Sequence, residues 1–162
     1  MAQTRNVPDN PVMVPAFVRE DDQPDGAAAS LSRLAKPVAD AIRLHRVKAF
    51  APEQLHAEFL RIIREKALGR DSQQRLSSEQ ARDALRSFRE LPITYLPSKQ
   101  VAEEAERLTF ECGISADDSW YVAAALAARA EFWMSHDHSD GLAEAARREG
   151  VAVRVLSRDR FT

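Results

Sequence analysis

The feature that most constrains this chain is a repeated alternation of short β-prone runs with helix-length segments. The runs are Val47-Lys-Ala-Phe50, Ile93-Thr-Tyr-Leu96, Ala130-Glu-Phe-Trp-Met-Ser135 and Val151-Ala-Val-Arg-Val155. They are short, apolar and rich in residues that favour strands. Each connection between them is long enough for a helical crossover. Antiparallel neighbours need only a tight turn, whereas parallel neighbours need a crossover of a dozen or more residues. The expected class is therefore α/β, an α/β/α sandwich with a short, mostly parallel central sheet.

The segments between the runs carry helix periodicity and end signals. Ala27 to His45 places Leu31, Leu34, Val38 and Ile42 three or four apart, and Pro37 is expected to kink or divide that helix. Glu53 to Leu68 gathers Leu55, Phe59, Ile62, Ile63 and Ala67 on one side, with Gly69 just beyond. Ser77 or Ser78 caps a helix carrying Ala81, Leu85 and Phe88; Ser98 caps one running to Gly113; Ser115 caps one that is almost wholly apolar from Val122 to Ala128. Its alanines would let it lie close on a sheet. Gly141 to Arg148 reads as a last helix, ended by Gly150. The first 25 residues are turn-rich, with Pro8, Pro11, Pro15 and Pro24, and Val12-Met-Val14 reads as a short strand or a buried helical turn.

At 162 residues the chain suits one domain, 1–162, with 1–7 and 157–162 as tails. Lysines and arginines total 23 against 25 acids, so a uniformly basic nucleic-acid coat is excluded but a local basic groove is not. The single cysteine, Cys112, permits no disulfide within the chain and no cysteine cluster for zinc. It suits a reducing cytoplasm. No run approaches the roughly 18 apolar residues of a membrane span, and the N-terminus has no apolar leader core. A cytoplasmic protein without a membrane partner is the expectation.

Carboxylates recur at the ends of these elements. In open parallel sheets, ligands sit beyond the carboxyl ends of the strands. His136-Asp-His-Ser-Asp140 directly follows the Ala130–Ser135 run, Asp117 and Asp118 open the helix that feeds it, and Glu58 lies one turn into the helix after Phe50. Asp118, Asp137 and Glu58 can therefore meet at one edge. Carboxylates crowded together stay ionised only with a cation between them. Oxygen ligands without cysteine suit Mg²⁺ or Mn²⁺. Such a centre serves phosphodiester hydrolysis by lowering the pKa of a bound water. Each acid also has a plainer reading: acids in a first helical turn favour the helix dipole, and Glu58 sits among charged neighbours. His136 and His138 read as a solvated pair, Trp120, Tyr121 and Trp133 as core, and Cys112 as a small, partly buried residue. No glycine-rich phosphate loop and no nucleophile elbow is present.

Three segments carry a family resemblance. Gly113-Ile-Ser-Ala-Asp-Asp-Ser-Trp-Tyr-Val-Ala-Ala-Ala-Leu-Ala127 puts Asp118 three residues before Tyr121; Phe132-Trp-Met-Ser-His-Asp137 ends a strand in Ser-x-Asp; Ala51-Pro-Glu-Gln-Leu-His-Ala-Glu58 places Glu58 in an acid position. Together, in this order, they resemble the PIN domain and specifically the small VapC-type ribonuclease toxins, over roughly Pro8 to Leu156. The family's first acid follows a hydrophobic strand. Asp9-Asn-Pro-Val-Met-Val-Pro-Ala-Phe17 fits the part after that acid and makes it Asp9, although Gln3 to Pro8 is a poor central strand and Pro11 replaces a small hydroxyl residue. The competing alignment makes Val12–Val14 the strand and puts Pro15 in the acid position.

The resemblance implies a metal-dependent endoribonuclease. Asp9, Glu58, Asp118 and Asp137 would hold Mg²⁺ or Mn²⁺, Asp140 would assist through a water, and Ser135 would orient the site. Arg61, Arg64, Lys66 and Arg70 are candidates for RNA phosphate contacts, or else a solvated helix face. An antitoxin covering the acidic pocket and a homodimer are implied as partners. The alternative is a non-catalytic PIN-like binding or regulatory module, which the atypical first motif favours.

Overall fold

The structure is a computed structural model that describes residues 4–18, 27–69, 75–135 and 141–156. One five-stranded, all-parallel sheet forms its centre. The strands are β1 (Thr4–Pro8), β2 (Val47–Pro52), β3 (Ile93–Leu96), β4 (Glu131–Met134) and β5 (Val153–Val155), in the order β3-β2-β1-β4-β5. The helices are α1 (Asn10–Phe17), α2 (Ala27–Arg43), α3 (Gln54–Ala67), α4 (Ser78–Arg89), α5 (Ser98–Cys112), α6 (Ala116–Ala128) and α7 (Leu142–Arg148). The expected α/β class holds, and every pairing in the sheet is parallel.

Strand order and handedness divide the helices between two layers. The chain steps outward from β1 to β2 to β3, then jumps across to β4 and β5. With right-handed crossovers, α1 to α4 cover one face and α5 to α7 the other. Contacts agree: α1 packs on α2 and α3, α3 on α4, and α5 on α6, which lies over β2, β1 and β4. Arg107 of α5 pairs with Glu149 just after α7 at 2.5 Å, tying the second layer together.

Small side chains explain the close seat of α6. Val122, Ala123, Ala124 and Ala125 form a consecutive buried run, as expected for a helix laid tightly on a sheet and flanked on both sides. On the opposite layer, Phe59 and Phe88 stack with ring centroids 3.9 Å apart. Phe17 meets both edge-on at 5.8 and 5.9 Å. That aromatic cluster joins α1, α3 and α4, and such pairs add about 0.5–1.5 kcal/mol each beyond area burial.

Several local expectations change. Of the expected tail 1–7, Thr4–Val7 belong to the central strand, while 1–3 and the expected tail 157–162 lie outside the described residues. Of the two readings of Val12–Val14, the buried helical turn holds: the segment lies within α1, with Pro15 inside that helix. Pro11 sits in its first turn, where a missing N–H leaves no intrahelical bond unmade. Pro37 neither ends nor divides α2, which runs from Ala27 to Arg43. Pro37 is exposed, so the carbonyl it leaves unpaired can bond water. Ser98 is the first residue of α5, not its cap. Its N–H and hydroxyl donate to Glu53 Oε2, at 2.8 and 3.0 Å, so an acid at the start of α3 caps α5 from a distance. Ser77 does cap α4, in a reciprocal capping box with Gln80. No described helix is long and apolar enough to cross a membrane.

Candidate functional site

Asp9 is built into the end of the central strand. Its N–H continues the β1–β4 ladder by donating to the Trp133 carbonyl at 3.0 Å. Successive N–H groups of a strand point to opposite sides. The nitrogen of Pro8 therefore faces the β2 side, where pairing has already ended at Asn6 with Ala49. That is why a proline is tolerated next to the central acid. The Asp9 carboxylate accepts from Val12 N at 2.9 Å and caps α1. The structure therefore places Asp9 at the end of a strand and Val12–Val14 in the helix that follows.

Glu58 comes to the same edge from α3. The next residue, Phe59, is fully buried in the aromatic cluster and pins this turn of the helix. Tyr121, on α6, donates its hydroxyl to Glu58 Oε2 at 2.7 Å. Asn10 Nδ2 donates to the same Oε2 and to the Tyr121 hydroxyl oxygen, the latter at 3.1 Å. Three elements thus converge on one carboxylate.

Asp118 enters from the first turn of α6. Ser115 caps the helix by accepting from Asp118 N at 3.1 Å, and its hydroxyl donates to Asp118 Oδ2 at 2.6 Å. One serine fixes both the backbone and the carboxylate of Asp118. The neighbouring acids separate here: Asp117 is exposed and Asp118 is half-buried.

The charges of these acids act on one another. Asp9 is 8% exposed. Burial raises its carboxyl most, the hydrogen bond from Val12 opposes the rise, and the negative charges of Asp118 and Glu58 add to it, bringing the carboxyl to about 8. The Tyr121 phenol is held well above its ordinary value by burial, then by Glu58 and Asp9. A buried acid raised in this way is stabilised as an anion when a cation joins it. The donor set of carboxylate oxygens fits Mg²⁺ or Mn²⁺. Among the described residues, however, no group of three or more His, Cys, Asp and Glu side chains is gathered closely enough to hold a metal ion as it stands.

The other proposed residues are placed less closely. Asp137, Asp140 and Arg70, with His136 and His138, lie outside the described residues. Ser135 follows β4 at 2% exposure, and its hydroxyl has no hydrogen-bond partner among the described residues. It sits one residue past β4, the strand that pairs with β1 below Asp9. Arg61 and Arg64 are exposed on α3 and Lys66 is half-buried; Arg61 pairs with Glu65 at 3.6 Å. Trp133 and Tyr121 are buried as expected, Trp120 is half-buried, and His45 and His56 are exposed. Cys112 is half-buried, its Sγ 3.3 Å from Glu149.

Sequence reasoning missed Asn10. The only signal for it was an amide directly after the first acid, and its use depends on α3 and α6 arriving at the same place. Tyr121 was read as a core aromatic, and its ring is buried; its hydroxyl does more. Comparison of the chain with protein-family models finds no match, and neither does comparison with curated proteins.

Proposed function

We propose that this protein is a metal-dependent endoribonuclease of the VapC-like PIN type. The observation that carries the reading is the convergence of Asp9, Glu58 and Asp118, from β1, α3 and α6, close enough for the charges of the last two to raise Asp9. Convergence of acids from three separate elements at the carboxyl edge of a parallel sheet is where a ligand site belongs. Acids kept only for helix dipoles would have no reason to share one edge.

In this reading Asp9, Glu58, Asp118 and Asp137 hold Mg²⁺ or Mn²⁺, with Asp140 assisting through a water. The cation, when bound, supplies Lewis acidity for hydrolysis of the RNA phosphodiester. The chain supplies orientation. Val12 N and the start of α1 hold Asp9, Ser115 holds Asp118, and the unpartnered Ser135 hydroxyl is free to orient a ligand. The exposed Arg61 and Arg64 on α3, with Lys66 and Arg70, would contact RNA phosphates. An antitoxin covering the acidic edge and a homodimer complete the proposal.

The test is Mn²⁺-dependent cleavage of RNA by the purified protein, with Asp118→Asn as control. Cleavage that needs Mn²⁺ and is lost in the variant supports the reading. No cleavage together with no Mn²⁺ binding by calorimetry rejects the enzyme and leaves a non-catalytic binding or regulatory module. Cleavage of DNA in preference to RNA rejects the substrate.

A further inference from the structure

We propose that Asn10 and Tyr121 are positioning residues that hold the Glu58 carboxylate at the acidic edge before any cation arrives. This rests on the metal reading above and assigns roles to two residues outside the ligand set. The geometry is a closed triangle. The Tyr121 hydroxyl donates to Glu58 Oε2 at 2.7 Å, Asn10 Nδ2 donates to that same oxygen, and Asn10 Nδ2 also donates to the Tyr121 oxygen at 3.1 Å. Both donors are buried, Asn10 at 5% and Tyr121 at 4% exposure. Glu58 itself is only half-buried.

A glutamate on a helix beside other acids gains by turning outward to water. Its flexible side chain makes that easy, and repulsion from Asp118, joined by Asp9 once it ionises, drives it. Two neutral donors reverse the preference without adding a positive charge that would compete with a cation. A lysine or arginine in their place would neutralise the site and exclude the metal. Both donors use Oε2, so Oε1 takes no part in the triangle and is left for a ligand.

The amide orientation of Asn10 is set by the same contacts. Turned over, its Oδ1 would face the carboxylate and the phenol oxygen. As placed, Oδ1 is buried with no hydrogen-bond partner among the described residues. An unmet buried acceptor is costly, and it is tolerated here because the amide nitrogen meets a charged oxygen. Asn10 also couples the two acids mechanically. It follows Asp9 directly and opens the helix that Asp9 caps, so Glu58 is held by the turn that fixes Asp9.

The test uses Tyr121→Phe, which keeps the buried ring, and Asn10→Ala. For each, Mn²⁺ binding is measured by calorimetry, Mn²⁺ dependence of RNA cleavage by titration, and folding by thermal melting. Loss of a residue that orients a metal ligand weakens metal binding by about 10–100-fold. The expected result is a Mn²⁺ half-saturation raised at least about 10-fold, with most of the turnover recovered at saturating Mn²⁺. A purely structural role would lower the melting temperature and leave the half-saturation of the folded protein unchanged, which overturns the proposal. Wild type that binds no Mn²⁺ overturns the metal reading and this inference with it. Wild type that binds Mn²⁺, with variants that bind it equally, overturns this inference alone.

Discussion

Replacing Asp9 by asparagine should make the metal-free protein more stable at alkaline pH while abolishing its activity. Asparagine caps a helix as well as aspartate does, so the contact with Val12 N survives and only the buried charge is removed. In the folded protein the Asp9 carboxyl is raised from 3.8 to about 8. It therefore holds its proton more tightly folded than unfolded. Folding gains that advantage fully below the unfolded pKa and loses it as pH rises through about 8. Between about pH 5.5 and about pH 8.5, linkage over this window amounts to about 3 kcal/mol of stability lost by the wild type from this one group. The assay is urea unfolding at both pH values with a chelator present. All other titratable groups are common to both proteins, so the difference between the two profiles isolates Asp9. The variant should lack most of the alkaline loss. Parallel pH profiles for wild type and Asp9→Asn would refute the claim that Asp9 is a buried acid under the influence of Glu58 and Asp118.

The same raised carboxyl predicts proton release on metal binding. At about pH 7, Mn²⁺ should displace about 0.9 proton from Asp9, falling to about 0.1 by about pH 9; calorimetry in two buffers of different ionisation heat reads this directly, and equal heats in both would count against it. Phe59→Ala should cost about 3–5 kcal/mol in urea unfolding, because it opens the stacked cluster with Phe88 and Phe17, and it should weaken Mn²⁺ binding through the adjacent Glu58. A cost under about 1 kcal/mol would show that this cluster does not anchor α3.

The legible parts of this fold are those governed by neighbours in sequence. The capping box of Ser77 and Gln80 and the Ser115 cap follow from local hydrogen bonding, and both could be read from residue spacing. Ile93–Leu96 matches its strand from end to end. The central strand was not legible. Thr4-Arg-Asn-Val-Pro8 contains one branched aliphatic residue, a proline and an asparagine that is fully buried, its side-chain polar atoms without partners among the described residues. No propensity or alternation marks it. It is a strand because β2 and β4 supply partners on both sides.

The candidate site divides in the same way. Asp118 and Glu58 announce themselves through the segments around them, and Asp118 is separated from Asp117 only by burial. The roles of Asn10 and of the Tyr121 hydroxyl could not be read, since each exists only when α1, α3 and α6 meet. The cap of α5 by Glu53 is another long-range case.

The sequence by itself determined the α/β alternation, the helix starts and the placing of acids at element ends, because periodicity, capping and turn chemistry act over a few residues. Only the tertiary structure decided that Thr4–Pro8 is the middle strand, that Asp9 follows it, and that Glu58 is clasped by Asn10 and Tyr121. Those outcomes depend on strand order and on desolvation, and both arise from residues far apart in the chain brought to one edge of one sheet.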